Sequence, residues 1–202
     1  MLNQVALAAA ASKFGITGPA VSAQEISTAI PESFPGKEDI VRFYLLCNGG
    51  SRTRFGGTFH CRIAEHQAKR DRLDKVIVEG FYSIQSSASE RLVGFFSMLN
   101  QRDRFVRICT RYPQLTPFVE KHRPLAFDHC GNDFWVDTSD GCIRYVHMAS
   151  LLEGPIEYAR SFSEFVVKHW MKGNAPTAKN RGNALKSNAP YDLSQMCLWD
   201  IP

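Results

Sequence analysis

Residues 131–148 read GNDFWVDTSDGCIRYVHM, and this stretch predicts a β-hairpin. Its turn is placed at Asp140-Gly141, because a two-residue type I′ turn needs a positive φ at both central positions and favours this dipeptide. The residues on either side alternate between apolar and polar side chains, as strands with one buried face do. The apolar set that faces a core is Phe134, Val136, Ile143 and Tyr145.

The turn position also predicts the register of the hairpin. The expected cross-strand pairs are Thr138 with Ile143, Asp137 with Arg144, Val136 with Tyr145 and Phe134 with His147. Asp137 and Arg144 then form an ion pair on the face away from the core. Trp135 lies on that second face, where it is either covered by a helix or the C-terminal tail, or exposed as an anchor for a partner. Burial is favoured, because large aromatic side chains are mostly covered.

Two amphipathic helices flank these strands in the sequence. The first spans residues 38–47 and ends at Asn48-Gly49-Gly50, which tolerate the positive φ of a helix stop. The second spans residues 161–171 and begins with a capping box of Ser161 and Glu164. The buried stripes are Ile40, Phe43, Tyr44 and Cys47 in the first helix, and Phe162, Phe165, Val166 and His169 in the second.

The middle of the chain favours short strands with helices between them. Residues 76–78 and 81–84 are predicted strands, after a charged helical run at residues 65–72. A capping box at residues 87–90 opens a further helix, and residues 102–109 are expected to be extended. The inward residues of that further helix are Leu92, Phe95, Phe96 and Leu99.

Length and composition fit one ordinary globular domain. The 202 residues are 44% hydrophobic and 22% charged, which suffices for a core without metals or disulfides. The elements together predict the α+β class, with helices packed on a mainly antiparallel twisted sheet, as a single domain over residues 1–172. The Ala-rich start has no Lys or Arg before its apolar run, so a packed N-terminal helix is favoured over a signal peptide.

Cysteine usage and hydropathy bear on the compartment. The six cysteines form no CxxC pair and lack the tight spacing of a secreted disulfide scaffold, which indicates a reduced, cytoplasmic setting. No apolar run approaches the ~20 residues that a membrane-spanning helix needs. The sequence therefore predicts a cytoplasmic protein without a membrane partner.

Charge is concentrated near the C-terminus. Residues 172–190 hold four cations and no acid, which equals the net charge of +4, so the rest of the chain is neutral. A neutral body argues against a nucleic-acid surface, which needs many phosphate contacts. Residues 173–202 are predicted to be a basic linker followed by an apolar tail. That tail includes Tyr191 and Trp199, and it is expected to dock back on the domain or onto a partner.

The sequence contains residue types that could form a zinc site or a nucleophile, but it lacks the patterns of such sites. His129, Cys130, Cys142 and His147 are possible zinc ligands, but the hairpin places Cys130 and Cys142 far apart along a strand. Local signatures such as GxSxG, HExxH or a phosphate-binding glycine loop are missing from the sequence. No catalytic residue, metal or cofactor is therefore expected, and a hydrolase with a Cys nucleophile is the least favoured hypothesis.

Four segments in a fixed order resemble a known family. They are an amphipathic helix running into Asn-Gly-Gly (43–50), a strand ending in an aromatic and an aliphatic residue (78–84), Pro124-Leu125-Ala126 followed by residues 131–137, and Phe-x-x-Phe in a closing helix (162–165). This arrangement resembles the Smi/Knr-like branch of the SUKH superfamily over residues 23–172.

The resemblance implies a function in protein binding. Many bacterial members of the superfamily are immunity proteins that neutralise a cognate toxin, and others are regulatory or scaffolding modules. Both roles remain open at this point, and neither requires catalysis. The partner contacts predicted for this chain are Trp135, Arg144, Tyr191 and Trp199.

Overall fold

The fold is built on one antiparallel sheet. The computed structural model describes residues 4–12, 19–51, 78–84, 97–128 and 130–167. Within these residues six strands follow one another across the sheet in chain order, and every neighbouring pair is antiparallel. The strands are β1 (Gly50–Ser51), β2 (Val78–Phe81), β3 (His122–Asp128), β4 (Asp133–Asp137), β5 (Ile143–Val146) and β6 (Ile156–Ala159).

Helices cover both faces of this sheet, which confirms the predicted α+β class. Two short 3-10 segments, Pro113–Leu115 and Met148–Glu153, complete the described structure. The α-helices are α1 (Gln4–Ala11), α2 (Ala23–Ala29), α3 (Lys37–Leu46), α4 (Met98–Arg111), α5 (Thr116–Lys121) and α6 (Phe162–Val166).

The larger core lies between one face of the sheet and helices α1, α2, α3 and α6. Phe81 is fully buried at its centre, with ring centroids 4.6 Å from Phe43 of α3 and 6.0 Å from Phe165 of α6. The two predicted apolar stripes and the apolar hairpin face therefore meet, as expected. Buried members of these three sets are Ile40, Phe43, Tyr44, Cys47, Phe134, Val136, Ile143, Tyr145, Phe162, Phe165 and Val166.

The Asn-Gly-Gly stop signal fastens α3 to the sheet. The Asn48 Oδ1 atom accepts a hydrogen bond from the Ile84 amide (2.7 Å), and Nδ2 donates to the Ile84 carbonyl (3.0 Å). Gly49 has φ +69° and lies directly against the backbone of Ser83. The predicted helix end is confirmed, and the same residues that end the helix also pair it with the chain beyond β2.

The hairpin forms, but its predicted turn and register are wrong by two residues. The observed pairs are Asp133 with Val146, Phe134 with Tyr145, Trp135 with Arg144 and Val136 with Ile143. Among the described residues only glycines have positive φ, so Asp140 does not adopt the conformation that a type I′ turn requires. The loop is longer, and it is closed by bonds from the Asp137 amide to the Cys142 carbonyl (2.9 Å) and from the Gly141 amide to the Asp137 carbonyl (2.8 Å). A shift of two residues keeps every side chain on its predicted face.

Residues 102–109, expected to be extended, are part of helix α4. The helix begins after Ser97, whose hydroxyl accepts a hydrogen bond from the Asn100 amide (3.1 Å). Its buried residues Met98, Gln101 and Phe105 follow helical spacing, so the extended assignment was wrong. Leu99, expected to face inward, is 51% exposed.

The closing helix begins as predicted. The Ser161 hydroxyl accepts from the Glu164 amide (3.1 Å), while the Glu164 carboxylate accepts from the Arg160 amide (2.9 Å). The predicted N-terminal helix is also present as α1, with Leu7 and Ala10 buried in the larger core. Predictions for residues 65–77, 85–96 and 168–202 lie outside the described residues. Among the described helices, none has the length and apolar character needed to cross a bilayer.

Candidate functional site

The second face of the sheet is covered by α4 and α5 around Trp135. The Trp135 ring is fully buried, with centroids 4.6 Å from Phe105 of α4 and 5.2 Å from Phe118 of α5. Val119 and Val146 complete this smaller cluster. Of the two alternatives for Trp135, burial under a helix is therefore correct, and the prediction that Trp135 contacts a partner is wrong, because the side chain is fully buried.

The outer side of α4 exposes aliphatic side chains among arginines. Leu99 is 51% exposed and Val106 is 48% exposed, and their spacing of seven residues places them on one stripe of the helix. Arg104, Arg107 and Arg111 are also exposed. Between Met98 and Lys121 there are five cations and two acids, so this layer of the molecule is basic.

A groove of about 380 Å³ runs between α4 and α5. The Nε atom of Arg102, at the groove wall, is buried and has no hydrogen-bond partner among the described residues. Buried donors are nearly always paired in folded proteins, so this N–H group is available to donate to a further polar group. The groove is lined by Arg102, Val106, Cys109, Thr110, Thr116, Val119 and Glu120. We call this groove, together with the adjacent Leu99 and Arg107, the groove surface.

Arg123 holds the α5 side of the groove in place. Its Nη1 atom donates to the carbonyls of His122 (2.9 Å) and Glu120 (3.1 Å), at the end of α5. Its Nη2 atom forms an ion pair with Glu32, in the segment between α2 and α3. Burial, with the nearby charge of Arg102 acting in the same direction, lowers the pKa of Arg123. The groove wall is thus anchored to the rest of the domain by the buried side chain of Arg123.

A buried carboxyl group supports α4 from beneath. Asp133 accepts hydrogen bonds from the Tyr82 hydroxyl (2.5 Å) and from the Gln101 amide nitrogen of α4 (2.5 Å). Burial raises the pKa of Asp133 to about 6, although both hydrogen bonds act to lower it. This side chain connects β4, the chain beyond β2 and α4, so it positions the helix that carries the groove surface.

Asp133→Asn should remove one component of the pH dependence of stability. The folded pKa of about 6 lies above the unfolded value of about 4, so the folded state holds the extra proton between these pH values. The contribution of Asp133 to the free energy of unfolding is therefore fully present below about pH 4 and is lost as pH rises through about 6. From pH 4 to pH 7 the Asn variant should gain on the order of 2 kcal/mol relative to wild type. Urea unfolding of both proteins at each pH measures this, and a constant difference would contradict it.

Arg144 lies near the hairpin turn, and its side chain is hydrogen-bonded to carboxylates of the same domain. Its guanidinium donates to Glu157 (3.0 Å), Asp140 (2.9 Å) and Asp137 (3.5 Å). The predicted ion pair with Asp137 is present, although Arg144 lies opposite Trp135 in the sheet. The side chain is 22% exposed, so this cluster stabilises the hairpin and leaves little of Arg144 for a partner. Tyr191 and Trp199 lie outside the described residues.

Several histidine and cysteine side chains lie within the described residues, and their surroundings bear on metal binding and on nucleophilic chemistry. Within the described ranges no three His, Cys, Asp or Glu side chains are placed to share a metal ion. The ring of His147 hydrogen-bonds through Nδ1 with the Ser150 hydroxyl (2.9 Å). Burial raises the pKa of Cys47 to about 11, and burial together with Asp140 raises that of Cys142. Neither thiol is an activated nucleophile, since activation requires a lowered pKa.

The groove surface is the feature that the sequence analysis did not identify. Its signal was present in the helical spacing of Met98, Gln101 and Phe105, with Arg residues between them. The site consists of the half-exposed face of an amphipathic helix beside a groove. Comparison of the chain with protein-family models, curated proteins and solved structures gave no match.

Proposed function

We propose that this chain is an immunity-type protein that binds a cognate toxin protein and blocks it through the groove surface. The observation that carries the proposal is the pair of half-exposed aliphatic residues, Leu99 and Val106, beside a groove in which the Arg102 Nε atom has no hydrogen-bond partner among the described residues. Protein interfaces are enriched in arginine and in apolar residues at their centre. A groove flanked by both therefore supports binding to another protein.

The close packing of the layer beneath the groove surface supports the same function. Phe105, Trp135 and Val119 fill the space between α4 and the sheet, and all three are buried. A surface on a well-packed helix loses little conformational entropy when a partner binds, which favours affinity. The resemblance to the SUKH superfamily supports a toxin as the partner.

The charge of the layer indicates the kind of toxin surface that would fit. With five cations and two acids between Met98 and Lys121, the layer would attract an acidic patch and repel a basic one. The partner of this immunity-type protein is therefore a toxin domain with an acidic surface near its active site, rather than a basic nuclease. Co-expression with the product of the neighbouring gene, scored by growth rescue and co-purification, tests the function. No binding at micromolar concentration would count against it.

The double variant Val106→Asp/Arg107→Glu should weaken toxin binding by at least about 30-fold, the equivalent of a hot spot of about 2 kcal/mol. It places acids where the groove surface is apolar and basic, and both positions are exposed, so folding should be retained. Isothermal titration calorimetry measures the affinity. The matched control is Val5→Asp/Arg160→Glu, which makes the same chemical changes at exposed positions on the side of α1 and α6. Equal affinity of the two variants would show that the toxin binds elsewhere.

A further inference from the structure

A segment of the same chain has the charge and the apolar character that would complement the groove surface. Residues 191–202 read YDLSQMCLWDIP, with two acids, no cation and six large apolar side chains. The groove surface presents the opposite charge and two exposed aliphatic residues, Leu99 and Val106. Both properties that a ligand of this surface needs are therefore present in residues 191–202.

The net charge of this segment differs from that of the other parts of the chain that the structure does not describe. Residues 52–77 hold seven cations and three acids, and residues 168–190 hold cations only. Residues 13–18 hold one cation, and residues 85–96 hold one cation and one acid. Each of these would be repelled by or indifferent to a basic surface. Residues 191–202 are the net acidic segment among them.

The connection is long enough to reach the groove. The last described residue is Val167, which follows α6 on the far side of the sheet from α4. A chain from Val167 to Tyr191 can span up to roughly 80 Å at about 3.3 Å per residue. A domain of this size has a radius of gyration of about 15 Å, so the path around the sheet edge is well within reach.

We propose that residues 191–202 dock on the groove surface of the same chain, with their apolar side chains over Leu99 and Val106 and with Asp192 and Asp200 near the arginines of α4. The segment then covers the surface that a protein partner would use, so a partner must displace it. This inference concerns an intramolecular contact and does not rest on the identity of the partner.

Native cysteines offer a direct test. Cys109 lines the groove and is a partly exposed free thiol, and Cys197 lies within the proposed docking segment. Treatment of the full chain with a short bis-maleimide, followed by mass spectrometry, should give mainly the Cys109–Cys197 cross-link within one molecule. Cys130, another partly exposed cysteine, is the internal control for chance encounters. Equal linkage of Cys197 to Cys109 and Cys130, or linkage mainly between molecules, would overturn the proposal.

Charge reversal within the segment gives the second readout. Asp192→Lys/Asp200→Lys lies outside the described fold, and it should lower the yield of the Cys109–Cys197 cross-link about tenfold, as expected for the loss of two ion pairs of about 0.7 kcal/mol each. The separate reactivities of Cys109 and Cys197 toward a monofunctional maleimide correct the yield for thiol reactivity. Hydrogen exchange of α4 should also become faster in this variant, with no change in β4. A variant that leaves both cross-linking and exchange unchanged would exclude docking, whatever the result with a toxin.

Discussion

Phe105→Ala is expected to lower the free energy of unfolding by about 3–5 kcal/mol, whereas Val106→Ala should change it by about 0.5 kcal/mol or less. Phe105 is fully buried between α4 and the sheet, and its ring packs against Trp135 with centroids 4.6 Å apart. Its removal leaves a cavity and breaks an aromatic contact. Val106 is 48% exposed, so its truncation removes little buried surface.

Urea unfolding followed by circular dichroism measures both changes. The neighbouring positions are compared because each loses a hydrophobic side chain from the same helix, and they differ both in burial and in the size of the group that is removed. In Phe105→Ala the loss of stability should come with a lower melting temperature and retained α-helix below it. Similar losses at the two positions would contradict the orientation of α4, since they would require both side chains to be buried.

The wrong prediction for residues 102–109 of α4 has a physical reason. Residues 104–109, RFVRIC, alternate charged and apolar residues in part, as a half-buried strand does. The helical signal needs a longer window, from Ser97 through Met98 and Gln101 to Phe105, and Gln101 in it is polar. Gln101 is buried because it donates a hydrogen bond to Asp133, a contact between elements far apart in sequence. Such a contact cannot be read from local periodicity.

In the hairpin, the sequence correctly predicted the face on which each side chain lies but not the register of the strands. The alternation of Phe134 and Val136 with Trp135 correctly divided the strand between two faces, because the period of two depends only on local geometry. The register was wrong because it depended on one dipeptide. The Asp140 carboxylate instead accepts a hydrogen bond from the Cys142 amide (2.8 Å), which favours a longer loop with positive φ at Gly141 alone.

The candidate site was likewise predictable only in part. Its supporting layer could be predicted in part, since burial of Trp135 was expected on general grounds. Its accessible surface could not, because the groove is formed between α4, whose residues 102–109 were expected to be extended, and α5, which was not predicted. Of the four predicted contacts, Trp135 is buried, and Arg144 is held by three acids. Tyr191 and Trp199 remain predictions, and they lie in the segment proposed to dock on the groove surface.

Gly49→Ala is expected to weaken the attachment of α3 to the larger core. Gly49 has φ +69°, and a Cβ atom there would lie 2.6 Å from the Ser83 amide nitrogen and 2.7 Å from the Ser83 Cα. Left-handed backbone costs a non-glycine residue roughly 1–2 kcal/mol, and the clash with rigid backbone adds to it. We expect a total loss of more than about 3 kcal/mol in the free energy of unfolding.

Gly36→Ala is the control that distinguishes the cost of the left-handed backbone from the cost of the steric clash. Gly36, which precedes α3, has φ +83°, but no atom lies within 4 Å of the position of its Cβ. This control should therefore cost only the conformational term of roughly 1–2 kcal/mol. The excess loss at Gly49 measures how firmly α3 is held against the chain beyond β2, where Asn48 already pairs with Ile84 on both its amide atoms. If the two alanine variants were equally stable, that close approach would not exist in solution, and the attachment of α3 to the sheet would rest on side-chain packing alone.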